Sequence, residues 1–419
     1  MNLHKFARSI NKCALVATLV CTLISLEARA GMMAARVAVT GTLLDNSDTA
    51  AVTTVQTPGP ALVVATNPKN LGDLTLLLGG SNMLQADGVI IAVSNQLQYG
   101  AVGNRNIIET PGELTATIPG GFQSSYWLST TKVSGSGSEA NFNLAMAHFP
   151  FAQGWVAGHV RGTDGTFRAG NNAGVTVTTQ FDLPAAAFGT GHYNLSIAGV
   201  DSRVHGMLYA MSEENASSGN VVPVGILPDG SGWDIRINDQ GGQFPATEQA
   251  DWSYVYIPYN AGNLLAAGNI GIDDDASPVA IRRSIGAFTA ERLDFGPPGS
   301  IIAPGGIPDG ISDPGRFLIK ISGKDDMTGY LMVGVSKYAT ASGNSGADDN
   351  FLTWQYSADL GGFVVETYDW TTAPLQNSDI YFAYFDYANP IIPTPEPGTA
   401  CLAMLGLIAL LGCRRRAAV

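Results

Sequence analysis

Short runs in which apolar and polar residues alternate, separated by glycine, recur from Gly31 to about Ala388. Tyr193-Asn194-Leu195-Ser196-Ile197, Trp233-Asp234-Ile235-Arg236-Ile237 and Phe317-Leu318-Ile319-Lys320-Ile321 each place their apolar residues on one side of an extended chain, so each predicts a half-buried strand. Val89-Ile90-Ile91-Ala92-Val93 is apolar on both sides and suits the centre of a sheet. No window outside the two termini sustains a 3.6-residue period. The body is therefore expected to be all-β.

Laid over itself, the chain predicts more than one unit. Glu139 to Val160 overlies Gln249 to Ile270 without a gap: Ala140, Ala157 and Gly158 match Ala250, Ala267 and Gly268, and Phe142 faces Trp252. The aromatic run Asp251 to Tyr259 returns as Asp379 to Tyr387, and Tyr193-x-Leu195-x-Ile197-x-Gly199-x-Asp201 returns as Phe317-x-Ile319-x-Ile321-x-Gly323-x-Asp325. Gly206 to Ser212 resembles Gly88 to Ser94 and, more loosely, Gly329 to Ser336. The matches keep one order. They predict three tandem, diverged β-sandwich-like units at residues 31–160, 161–270 and 271–389, each long enough to close its own core. The Gly/Pro-rich stretch Gly296 to Pro314 is either a loop inside the third unit or a linker.

The ends read differently from the body. Lys5, Arg8 and Lys12 precede an apolar stretch from Cys13 to Leu26, and Ala28-Arg29-Ala30 before Gly31 is a small-x-small site. Residues 1–30 thus predict a signal helix removed by signal peptidase after Ala30. At the other end, residues 390–419 contain Pro395-Glu396-Pro397, an uncharged run from Thr399 to Cys413, and Arg414-Arg415-Arg416. The prolines keep the motif extended. The apolar run would span about 22 Å as a helix, short of the ~30 Å hydrocarbon core, and the arginines resist crossing. A short, transient transmembrane helix with a cytoplasmic stop cluster is expected. This order of motif, helix and arginines resembles the PEP-CTERM sorting signal of exported bacterial proteins. The resemblance covers about 25 residues, and implies cleavage near the motif by an exosortase-type transpeptidase and delivery to the cell surface or exopolysaccharide matrix.

Removing both ends changes the charge picture. The formal charge is −13; with Glu396 kept on the body, removal of the ends takes away seven basic residues against Glu27 alone, leaving about −19. A body this acidic repels phosphate backbones, so nucleic acid is excluded as a partner. All four cysteines, Cys13, Cys21, Cys401 and Cys413, lie in the removable ends, so no disulfide or thiol chemistry is expected in the body.

Candidate chemistry is sparse. The overlay sets His148, His159 and His192 against Pro258, Asn269 and Arg316, and His205 against Thr328 or Gly329, so no histidine recurs. Neither a metalloprotease motif, nor a nucleophile elbow, nor a phosphate loop is present. Asp273-Asp274-Asp275, Asp164, Asp325-Asp326 and Asp348-Asp349-Asn350 could offer oxygens to Ca²⁺, but their spacing fits no EF-hand and turn aspartates are better read as local caps. No cofactor is expected.

Trp252, Tyr254 and Tyr256 fall on one side of a regular strand, where they would either fill a core or stack on sugars. Trp354 and Trp370 have no match in the other units and hint at a local ligand surface. The expectation is an exported, non-catalytic protein with a structural, adhesive or matrix-interaction role. The alternatives are a glycan-binding module or a polysaccharide hydrolase, the latter needing paired carboxylates such as Glu213-Glu214, or Glu366 with a loop aspartate.

Overall fold

A computed structural model describes residues 32–40, 51–56, 62–66, 74–78, 81–82, 84–95, 106–118, 121–132, 143–180, 191–213, 220–238, 249–271, 279–293, 315–336, 350–368 and 377–393. The expected terminal helices lie outside these residues. What is described is all-β, in six sheets.

The first block contains β1 (Met33–Thr40), β2 (Ala51–Gln56), β3 (Leu62–Thr66), β4 (Leu74–Leu78), β5 (Ser81–Asn82), β6 (Gly88–Ser94), β7 (Asn106–Ile118), β8 (Gly121–Lys132) and β9 (Asn143–Pro150). Its sheets run β2-β1-β9-β6 and β3-β4-β8-β7, with β5 beside β4. The second contains β10 (Ala157–Val160), β11 (Phe167–Asn171), β12 (Val175–Thr179), β13 (His192–Ile197), β14 (Gly206–Ser212), β15 (Val224–Ile226), β16 (Trp233–Arg236) and β17 (Trp252–Pro258), ordered β11-β10-β17-β14 and β12-β13-β16-β15. The third contains β18 (Ala266–Gly271), β19 (Ala280–Ile285), β20 (Thr289–Arg292), β21 (Arg316–Lys320), β22 (Gly329–Ser336), β23 (Phe351–Ser357), β24 (Gly362–Tyr368) and β25 (Asp379–Asp386), ordered β19-β18-β25-β22 and β20-β21-β24-β23. Apart from β5, one strand order occurs three times.

By hydrogen bonding, β10 goes with β11 and β17, and β18 with β19 and β25. Each opening strand therefore joins the residues that follow it, one strand earlier than the boundaries at Val160 and Ile270 read from the sequence. The stretch Gly296 to Pro314 lies outside the described residues; the strands that flank it in sequence, β20 and β21, are paired neighbours of one sheet.

Pairing registers also refine the overlay. Gly88, Gly206 and Gly329 open the fifth principal strand and face Pro150, Pro258 and Asp386. His148 accordingly corresponds to Tyr256 and Tyr384, and not to Pro258. The overlay slips because the path from Pro258 to Ala267 is two residues longer than that from Pro150 to Ala157. A Cβ on Gly88, Gly206 or Gly329 would collide with the side chain of His148, Tyr256 or Tyr384, respectively. Glycine recurs there because strand and side chain approach too closely for anything larger.

The alternating strands behave as their pattern predicts in two of three cases. In β13 and β16 burial alternates. In β21 the outer-face Leu318 is buried as well, under Leu293, Val364 and Leu360. Across the second and third sandwiches rings interlock: Tyr193 meets Trp252 at 5.4 Å, Trp233 meets Tyr256 at 5.6 Å and Phe363 meets Tyr384 at 5.6 Å between centroids. Each such pair adds roughly 0.5–1.5 kcal/mol beyond its buried area.

Val89 to Val93 departs from expectation in an instructive way. The strand β6 is an edge strand, bonded only to β9, yet it is buried on both faces. Strands β14 and β22 are edges of the same kind and equally buried. These three edges turn toward one another. Tyr209 of β14 donates to the Met332 carbonyl of β22 at 3.3 Å, and Tyr330 of β22 donates to the Ile91 carbonyl of β6 at 3.5 Å. Apolarity on both faces here reports docking between blocks. One hydrophobic cluster runs through all three.

Candidate functional site

The opening strands lock this ring. Arg36 on β1, His159 on β10 and Asn269 on β18 occupy one register position, opposite Ala145, Ser253 and Tyr381. Each reaches the preceding block. His159 Nε2 lies 3.0 Å from the Gly88 carbonyl, Asn269 lines a small cavity with Gly206, and Arg36 closes the circle with Asp326, 2.8 Å away, just before β22.

Behind His159 a polar network runs from the buried Glu213 out to the surface. Its Nδ1 contacts Glu213, whose other carboxylate oxygen lies 3.6 Å from Arg168, and Arg168 binds Asp251 at 2.6 Å. Arg168 protrudes at a β-bulge between β10 and β11. The same bulge in the third block carries Arg282, 3.3 Å from Asp379, the counterpart of Asp251. These bulge pairs escape sequence reading, because a bulge breaks the alternation that marks a strand. Nearby, His148 is buried with neither ring nitrogen bonded. Burial, reinforced by neighbouring His159, lowers its pKa to about 4.

Two of the carboxylates considered for hydrolysis sit in buried ion pairs. Glu213 is fully buried against His159, and Glu366 is held by Arg316 at 2.8 Å and by the Tyr368 hydroxyl. Glu214 lies outside the described residues. His192 contacts Asp234 at the margin of its sheet, and the register sets it opposite Arg236 just as Arg316 is set opposite Glu366.

The acidic turns cap themselves. Asp164 accepts from the Thr166 amide at 2.9 Å and its hydroxyl at 2.6 Å, bonds that lower its pKa. Asp325 accepts from the amides of Met327 and Thr328. Burial raises the pKa of Asp326 against the opposing pull of Arg36. Among the described residues no group of three or more His, Cys, Asp or Glu side chains is arranged to hold a metal. Asp273 to Asp275, Asp348 and Asp349 lie outside them.

The aromatic strand is core. Trp252, Tyr254 and Tyr256 are buried, with Phe167, Tyr193 and Trp233 against their rings. Trp354 is buried against Phe363, which removes it as a ligand surface, and Trp370 lies outside the described residues.

Where β6, β14 and β22 converge they leave a cavity of about 110 Å³. Ser94 and Ser212 line it, as do Asn220 and Asn350, which precede Val221 and Phe351 at matching registers. Its walls include Tyr209, Phe351 and Tyr381. A larger hollow of about 650 Å³ lies off the axis, beside Trp155, His205 and Tyr259.

The residues expected to direct export, Ala28, Ala30, Gly31, Pro395, Glu396, Pro397, Arg414, Arg415 and Arg416, all lie outside the described residues. For the last six, a family model of the PEP-CTERM protein-sorting motif matches residues 393–416. No curated protein and no solved structure matches the chain. The C-terminus therefore carries a PEP-CTERM sorting signal, which marks the protein for export across the inner membrane and exosortase processing to a surface or extracellular location.

Proposed function

We propose that the exported body is a non-catalytic structural component of the cell surface or exopolysaccharide matrix. It consists of three diverged copies of one β-sandwich closed into a ring and delivered by signal peptidase and exosortase in turn. The observation that carries this reading is the use of the conspicuous side chains. The repeated aromatic strand is core, Glu213 and Glu366 are buried in ion pairs, and the three edge strands are spent on each other. Shielded edges also suit a secreted β protein at high local concentration, since an open edge invites pairing with other chains.

In this reading the transient membrane helix holds the tail while the motif is cut, and Arg414 to Arg416 keep the extreme end cytoplasmic. No cofactor takes part. The test is co-sedimentation of the purified exported protein with exopolysaccharide from its own host, with sugar release followed in the same tubes. Retention in the pellet without released sugar is expected. Release of reducing ends would replace this reading with a hydrolase, and absence from the pellet would remove the matrix role.

A further inference from the structure

We infer that the cavity at the meeting of β6, β14 and β22 binds a neutral hydroxylated ligand the size of a single sugar ring. This deepens the matrix reading and rests on it. Hydrogen bonding in the cavity is unmet. Ser94 is 3% exposed and Asn350 1%, both line the cavity, and among the described residues the Ser94 hydroxyl and both ends of the Asn350 amide have no partner. Buried polar atoms left this way cost stability, and a native fold keeps them where something else supplies the bond. A hydroxyl and a primary amide, together able to donate and accept, complement adjacent hydroxyl groups on a sugar.

Charge points the same way. Among the described residues the lining holds serine, asparagine, tyrosine and apolar side chains, with no carboxylate, ammonium, guanidinium or imidazole. In a body carrying about −19 after processing, an uncharged pocket selects for neutral ligands, and a uronate or phosphate has no counter-charge to meet.

Size and wall chemistry agree. About 110 Å³ admits the edge or end residue of a saccharide, not a chain laid lengthwise. Phe351, Tyr381 and Val333 offer apolar faces to the C–H side of a ring. Water can answer Ser94 and Asn350, but it gives the apolar walls no C–H face to pack against. Because all three blocks contribute, the site exists only in the closed ring.

The experiment is ligand-observed NMR titration of the full exported chain with glucose, galactose, mannose, N-acetylglucosamine and glucuronate. At least one neutral sugar should bind in the millimolar range. Asn350→Leu should weaken it about tenfold or more with no fall in melting temperature, and Ser94→Ala severalfold. His205→Ala, in the larger hollow, should leave it unchanged. Four results overturn the site: no neutral sugar binding, undiminished binding by the Asn350→Leu protein, loss of binding in the His205→Ala protein instead, or glucuronate binding as tightly. If no sugar binds while the protein still co-sediments with matrix, the pocket falls and the matrix reading stands.

Discussion

Two junctions of the ring put different chemistry at the same structural position. Between the first and second blocks stands His159, backed by Glu213 and beside the unbonded His148; between the third and first stands Arg36, paired with Asp326. An arginine stays charged at any accessible pH, so the closing junction titrates only through its carboxylate partner, Asp326. The first junction titrates through the buried His148. A third junction, between the second and third blocks, brings rings together, with Tyr209 4.8 Å from Tyr381.

The third junction should show the largest effect. Tyr209→Ala removes a fully buried ring and its bond to Met332, and should cost about 3–5 kcal/mol at every pH, read from the urea midpoint. A loss below about 1 kcal/mol would mean the blocks are stable apart.

Acid comes next. His148 takes up its proton near pH 4 in the folded protein and near 6.5 when unfolded. Between those values the unfolded chain holds more protons, so stability is fully present above about 6.5 and falls as pH drops toward 4. The loss approaches about 3 kcal/mol from this group. His148→Tyr installs the residue its counterparts carry and should flatten that slope. An unchanged pH profile would clear His148 of the effect.

Arg36→Met should cost less, about 1–3 kcal/mol, since it leaves the largely buried Asp326 unpaired but able to accept a proton. The deficit should shrink in acid, opposite to the His148 trend. Smallest of all, a chelator should move the melting temperature by less than about 1 °C, because the aspartate turns at Asp164 and Asp325 are satisfied by their own backbone. A clear drop would restore Ca²⁺ to the account.

Much of this was legible in the chain. Glycine-punctuated alternation marked β13 and β16, and the Ala157-Gly158 match with Ala267-Gly268 located two equivalent opening strands. What stayed hidden was the cause of burial. Val89 to Val93 is apolar on both faces because it docks on other blocks, and a sequence pattern records that a face is covered, not by what. The cavity was hidden for the same reason: Ser94 and Asn350 are 256 residues apart and meet only when the ring closes. The sorting signal was readable outright, since its function depends on a linear order of motif, apolar run and arginines.

Export and processing are the premise for everything proposed of the body. Intact-mass spectrometry of the protein recovered from the extracellular fraction tests them most directly. The account predicts a chain that begins at Gly31 and lacks Arg414 to Arg416. A recovered chain that still carries the whole tail through the arginine cluster would contradict it.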